Sequence, residues 1–545
     1  MGEALTLDLT GMTCEHCALA IDRALQKLPG VKARVSYPDH KAYIENVGQS
    51  SLPAIVDAID RAGYGVEGPR PQDTHVAQKK SDQTLHVAII GGGSAAFAAA
   101  IRATREGARV TLIESGELGG TCVNVGCVPS KILIRAAHGA HERAHPRFLG
   151  LKACAAMVDR AALTDQQQAQ VAALRKAKYQ DILAGHPAIQ LLRGYARFED
   201  AHTLRVDSGD QTRAVVADRF LIATGACAVI PPIAGLADTP YWTSTEALAT
   251  RESVARLMVI GASAIALELA QAFLRLGSQV TLLARETLLA RADADIGATI
   301  EQALVAEGMV VRTHAMLTRV AFTNGVFQVD TANGTFTGER LLVATGRRAH
   351  TDALGLDAIG VSRDKAGRIL VDDALRTQIP HIYAAGDCTT LPQFVYVAAS
   401  AGTRAAVNMT GGDQRLDLTV MPAVIFTDPQ VATVGLTQAA AEKRGLVVES
   451  RTLTLDYVPR ALANFDTRGF IRLVAERESR RIVGAQIVAS EAGEVIQSAA
   501  LAMRASMTTT DLAGQLFPYL TMVEGLKLCA QIFTQDVKQL SCCAG

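Results

Sequence analysis

Apolar and polar positions alternate along the first residues of this chain and then change period. LTLDLT (5–10) has the two-residue period of a strand with one covered face. CALAIDRALQKL (17–28) spaces its apolar residues by three and four, which predicts a helix that PGV terminates. KARVSYPDHKAYIENV (32–47) reads as a hairpin, and LPAIVDAIDRAGYGVE (52–67) as a second helix closing on a short strand. The order βαββαβ over 1–67 predicts a small ferredoxin-like domain. The polar, unpatterned GPRPQDTHVAQKKSDQT that follows predicts a flexible linker over 68–84, so the small domain is tethered.

Beyond the linker the pattern becomes buried strands and alanine-rich helices, an α/β signature. LHVAIIGGGSAAFAAAIRATREGARVTLIES (85–115) is a strand, a glycine turn, a helix and a second strand, with Gly91, Gly93 and Ala96 at the G-x-G-x-x-G/A positions. Small residues there let a pyrophosphate approach the helix N-terminus, and Glu114, about 20 residues on, is placed to accept from ribose hydroxyls. RLMVIGASAIALELAQAFLRLGSQVTLLARE (256–286) repeats the unit with Gly261, Ser263 and Ala266. Its second strand ends in Arg285, with Arg291 beyond, cations that suit a 2′-phosphate; two solvated loop arginines are the plain alternative. LIATGA (221–226), LLVATGRR (341–348) and IYAAGDC (382–388) are further strands ending in glycine turns, carrying Ala223, Gly225, Gly346, Gly386 and Asp387. The Gly386-Asp387 pair predicts a carboxylate and a helix N-terminus against a nucleotide. Two nucleotide sites in one chain suggest electron relay from NADPH to a flavin.

Composition narrows the classes. The 545 residues predict three or four domains, and the formal net charge of zero argues against nucleic acid as a partner. No run approaches the roughly 20 uninterrupted apolar residues of a membrane span, and the start has no signal-peptide pattern, so a cytoplasmic location is expected. Of ten cysteines, six form pairs: Cys14/Cys17, Cys122/Cys127 and Cys542/Cys543. In a reducing compartment such pairs point to metal or redox chemistry, whereas Cys154, Cys227, Cys388 and Cys529 are expected to be buried and inert. Cys14 and Cys17 sit at a loop-to-helix junction that favours thiolates. By itself CxxC is a redox pair or half of a zinc site, and no neighbouring pair completes four zinc ligands.

The longer strings carry resemblances. GMTCEHC resembles the heavy-metal-associated domain, which implies two-coordinate binding of a soft ion such as Cu(I) or Hg(II) by Cys14 and Cys17, with His16 a solvent-facing spacer. GGTCVNVGCVPSK (119–131) resembles the signature of the pyridine nucleotide-disulfide oxidoreductases, a likeness that extends over about 85–535. It implies two Rossmann-like domains and an α+β interface domain. FAD would bind at 85–228 and 347–415, NADPH at an inserted 229–346, and 416–545 would complete each active site across a homodimer. By the same resemblance, Cys127 is the charge-transfer thiol against the flavin and Cys122 the exchange thiol. Lys131 and Glu268 pair beside the flavin, and Arg285 and Arg291 match the NADPH-dependent members.

One departure points further. Disulfide reductases of this family carry a His-Pro near the C-terminus to protonate the leaving thiol, and here Phe517 precedes Pro518 and Tyr519. Efficient reduction of small disulfides is therefore not expected. Adjacent α-carbons lie about 3.8 Å apart, below the roughly 4.4–6.8 Å of ordinary disulfides, so Cys542 and Cys543 suit exchange of a soft cation better than a bond to each other. Two branches of the family have a reactive C-terminal arm, the large thioredoxin reductases and the Hg(II)-reducing enzymes. A metal module, a missing acid and a thiol tail together resemble the second. That resemblance implies thiol-bound Hg(II) as substrate, passed from the partner's tail to Cys122 and Cys127, with Tyr179 and Tyr519 assisting. Upstream mercury carrier proteins are the implied donors.

Overall fold

Every residue of the strand His86–Ile90 is buried, as a strand covered on both faces must be. It lies in the middle of a parallel sheet ordered Ile382–Ala384, Arg219–Ile222, His86–Ile90, Arg109–Glu114, Ile189–Arg193. The computed structural model describes residues 5–10, 12, 15–46, 52–62, 64–67, 84–155 and 157–539. Cys14, Cys542, Cys543 and all of the predicted linker but Thr84 lie outside these residues. The chain divides into two units, 1–83 and 84–545.

In the first unit the strands pair in the order Lys32–Ser36, Lys41–Asn46, Leu5–Thr10, Gly65–Glu67, each antiparallel to its neighbour. Helices Glu15–Gln26 and Leu52–Arg61 supply Ile21, Leu25, Ile55 and Ile59 to a core completed by Ile44. This is the βαββαβ arrangement its apolar spacing predicts. Cys17 is in the first turn of the first helix, half-buried against that core.

In the second unit, a four-stranded parallel sheet repeats the first sheet's design, ordered Val310–Arg312, Gln279–Leu283, Arg256–Ile260, Arg340–Val343. The ribbon Ala226–Ala228 with Arg347–Ala349 carries the chain into and out of that region. A five-stranded antiparallel sheet follows, Ala423–Ile425, Gln430–Gly435, Ile482–Ala489, Phe470–Glu476, Val448–Thr454, packed by Ala492–Arg504 and Glu524–Gln531. Helices Ser94–Arg105 and Val395–Met409 cross closely because small residues line the contact. A Cβ on Gly402 would fall 2.1 Å from the Ala95 carbonyl oxygen. That approach brings both helix N-termini toward one cavity. Among the described residues no helix is long and apolar enough to cross a membrane.

Two expectations need correcting. Cys388 and Cys529 are buried, but Cys154 is exposed beside Arg143 and Cys227 is only half-buried. Cys154 sits in the irregular segment after Ala144, and Cys227 on a two-stranded ribbon, so each lacks a packed layer to cover it. The helix that follows Gly386-Asp387 begins at Val395, and its N-terminus borders the same cavity. Tyr179 is carried by a π-helical turn, Lys176–Gln180.

Candidate active site

The redox pair owes its geometry to three glycines. Gly119 and Gly120 take positive φ (101° and 60°), turning the chain into the short helix Gly120–Val125 that carries Cys122. Gly126 breaks that helix, since a Cβ there would sit 2.9 Å from the Thr121 carbonyl oxygen. Cys127 then opens the helix Cys127–Ala144, with Pro129 in its first turn. A sulfur at that position meets the positive end of the helix and its unpaired amides.

The two sulfurs are unbonded thiols, and their ionisation is split. The Cys122 S–H donates to the Cys127 sulfur, which is the principal reason Cys127 is lowered to about 7. Burial opposes the drop, while Lys131 and the helix amide of Cys127 itself add to it. The same hydrogen bond, with burial, pushes Cys122 far up. At neutral pH one thiolate is therefore available, and it is Cys127.

Lys131 stands four residues along the same helix face, and its Nζ donates to Glu268 Oε2 at 2.7 Å. Glu268 is buried on the helix Ala264–Arg275. Thus the second glycine turn, through the helix it opens, reaches the redox pair. Both turns are built alike. A Cβ on Gly91 would strike the Ala223 carbonyl oxygen at 2.3 Å, and one on Gly261 the Ala344 oxygen at 2.3 Å. With φ of +115° and +135°, neither position accepts a side chain without strain.

A cavity of about 1210 Å³ joins these groups. It runs from Gly91, Gly93 and Glu114, past Ala223, Gly225, Gly386 and Asp387, to Cys122, Cys127, Lys131 and Glu268. Burial raises the Asp387 carboxyl, and the Arg347 guanidinium opposes that rise. The buried Nε of Arg347 has no hydrogen-bond partner among the described residues, although its Nη2 donates to the Ala226 carbonyl. An elongated pocket with a glycine cradle at one end, an acid at the strand end and an unsatisfied cation along its wall fits a dinucleotide.

Other predicted residues do not line this cavity. Arg285 and Arg291 follow the strand Gln279–Leu283 and are exposed, Arg285 beside Glu286. Tyr179 packs edge-on against Phe97 at 4.7 Å, and burial raises its hydroxyl despite a hydrogen bond with Ser94. Tyr519 is exposed and does not line the cavity. The sequence reading missed Arg347, Tyr396 and Phe426, all on the cavity wall. Arg347 directly follows the flagged Gly346, so its signal was present. Phe426 ends an apolar run that reads as ordinary core.

Residues 85–402 match the family described as pyridine nucleotide-disulphide oxidoreductase, 421–530 its dimerisation domain, and 6–65 the heavy-metal-associated domain. Proteins named mercuric reductase from Acidithiobacillus ferrooxidans and Shigella flexneri are each 56% identical to the chain, over 99% of it and 98% and 100% of their own lengths. The chain belongs to the mercuric reductases of the pyridine nucleotide-disulphide oxidoreductase family. Among solved structures it resembles the flavoprotein disulfide reductase RclA of Escherichia coli, in its Cu(II) complex (TM-score 0.75, 29% identity, 83% of this chain and 99% of that one). LpdA of Mycobacterium tuberculosis is similar to the same degree (TM-score 0.75, 27% identity, 83% and 100%). Membership of this mercuric reductase family brings with it a flavin and a pyridine nucleotide, the kinds of group the cavity fits.

Proposed function

We propose that the chain is an NADPH- and FAD-dependent homodimeric enzyme reducing Hg(II) to Hg(0), each active site completed by the partner's C-terminal thiols. What carries this reading is the Cys127 thiol, ionised near neutral pH and facing the dinucleotide cavity, in a chain 56% identical over its length to mercuric reductases.

Gly91, Gly93, Ala96 and Glu114 would hold FAD, with Ala223, Gly225, Gly386 and Asp387 along its length. Gly261, Ser263, Ala266 and Gly346 would hold NADPH, its 2′-phosphate meeting Arg285 and Arg291. The chemistry these nucleotides supply when bound is delivery of an electron pair to the cavity wall where Cys127 lies. Lys131 holds positive charge at that wall, and Glu268 fixes its direction. Hg(II) arrives as a dithiolate and moves to Cys542 and Cys543 of the partner subunit, then to Cys122 and Cys127. Polarizable sulfur matches a soft cation, and stepwise thiol exchange keeps it two-coordinate throughout. The two electrons from one NADPH convert bound Hg(II) to Hg(0), which binds thiolates weakly and leaves. Tyr179 stands beside the inner pair, and Tyr519 of the partner subunit would complete the transfer path. Cys14 and Cys17 capture metal from thiols or carrier proteins and hand it to the tail.

The test is NADPH oxidation under excess small thiol. Hg(II) should drive it and glutathione disulfide should not, since Phe517 cannot supply the proton that a disulfide's leaving thiol needs. Oxidation driven by disulfide and indifferent to Hg(II) would instead make the tail a dithiol relay. Deleting residues 1–84 should leave turnover unchanged in excess thiol and slow it severalfold when thiol is scarce. Equal rates at both thiol levels would remove the capture role.

A further inference from the structure

Lys131 has three N–H donors, and Glu268 takes only one of them. Its side chain is one-third exposed and borders an open cavity, so one ion pair does not fix the ammonium. A second contact does. The Lys131 Nζ lies 4.5 Å from the centroid of the Phe426 ring, within reach of the negative face of its quadrupole. The same residue's backbone N–H donates to Glu268 Oε1 at 2.9 Å, the oxygen that Lys131 leaves free. Phe426 therefore touches both members of the pair, one through its ring and the other through its amide. We infer that Phe426 is a positioning residue for the reduction, holding the Lys131 ammonium and the Glu268 carboxylate in one fixed arrangement at the cavity wall.

The backbone that aims the ring is itself anchored. Three residues beyond Glu268 on the same helix, Gln271 accepts from the Asp428 amide at 2.8 Å and donates to the Asp428 carbonyl at 2.9 Å. The segment is pinned on both sides of Thr427, so the ring position follows from the main chain. Phe426 is half-buried and lines the cavity. A leucine there would preserve the amide bond to Glu268 and most of the apolar contact, and would remove only the quadrupole. The ammonium could then swing into the cavity. A cation held close to a bound flavin favours its reduced form, so its loss should lower the reduction potential.

The inference rests on the reading that flavin lies beside Lys131, and the test separates the two. The flavin potential of the holoenzyme would be measured by equilibration with a reference dye for wild type, K131M, F426L, F426Y and the K131M/F426L double variant. K131M should lower it. F426L should lower it in the same direction by a three- to tenfold shift in the reduction equilibrium, about 14 to 30 mV at 29.6 mV per tenfold for a two-electron couple. F426Y keeps the ring and should match wild type, and the double variant should equal K131M alone. An F426L potential equal to that of wild type, or an F426L effect that adds in full to K131M, overturns the positioning role. A K131M potential equal to wild type overturns the placement of the flavin and the inference with it. Should F426L fail to fold, F426M carries the same comparison.

Discussion

Cys127→Ser should reduce Hg(II)-dependent NADPH oxidation by about 10³-fold or more, the scale of loss when a covalent nucleophile is removed. The reason is specific to this thiol. Cys122 donates to it and is pushed up, so Cys127 alone carries the negative charge near neutrality. In wild type, alkylation of the reduced enzyme by iodoacetamide should rise about tenfold per pH unit below 7 and level off above, because only the thiolate attacks. Cys122→Ala removes the principal cause of the lowering. The midpoint should then move above 7, since the burial that opposes the lowering remains. The long-wavelength absorbance expected of a thiolate against flavin should vanish in Cys127→Ser and persist in Cys122→Ser. The opposite pattern would exchange the roles of the two residues, and an unmoved midpoint in Cys122→Ala would remove the hydrogen bond as the cause.

What could be read from the sequence was whatever is local in the chain. Cys122, Cys127 and Lys131 share one short segment, and the spacing of a helix start settles their relation before any fold is known. The glycine turns are legible as a short pattern, although the main-chain contacts that require Gly91 and Gly261 come from Ala223 and Ala344, far along the chain. Tyr179 was legible as a residue but not as a geometry, because a π-helical turn leaves no period in the pattern. Phe426 was not legible at all. Its partners stand 295 and 158 positions away in sequence (426 − 131 and 426 − 268), and an aromatic ending an apolar strand reads as core.

The same distance hid the charged cluster behind the site. Arg275 projects from the helix that carries Glu268 and is almost fully buried. It meets Glu307 from the same α/β region and Asp428 from the antiparallel-sheet segment. Arg468 and His138 reach the same Asp428 from two further elements. No window of the chain shows more than one or two of these residues. Their joint effect is to lock the helix bearing Glu268 and Gln271 against the segment bearing Phe426. The positions of Lys131, Glu268 and Phe426 thus depend on a cluster that does not line the cavity.

Arg275→Met should consequently be among the most destabilising single substitutions in the second unit. Its Nε donates to Glu307 Oε2 at 2.7 Å and its Nη2 to Asp428 Oδ2 at 2.9 Å. Removing the guanidinium leaves two buried carboxylates short of a partner, a loss of ~3–5 kcal/mol. The pH dependence identifies the cause. Burial alone would raise Asp428, but His138, Arg275 and Arg468 hold its carboxyl far below the usual range. A carboxyl depressed in the fold contributes stability that is fully present above its unfolded value, 3.8, and is lost as pH falls through the folded value. Without Arg275 the depression is smaller, so the deficit should be largest at neutral pH and shrink below about pH 4. Denaturant unfolding of holoenzyme and variant at pH 7 and at acid pH measures both. A deficit of equal size at every pH would assign the loss to packing of the arginine stem rather than to its charge.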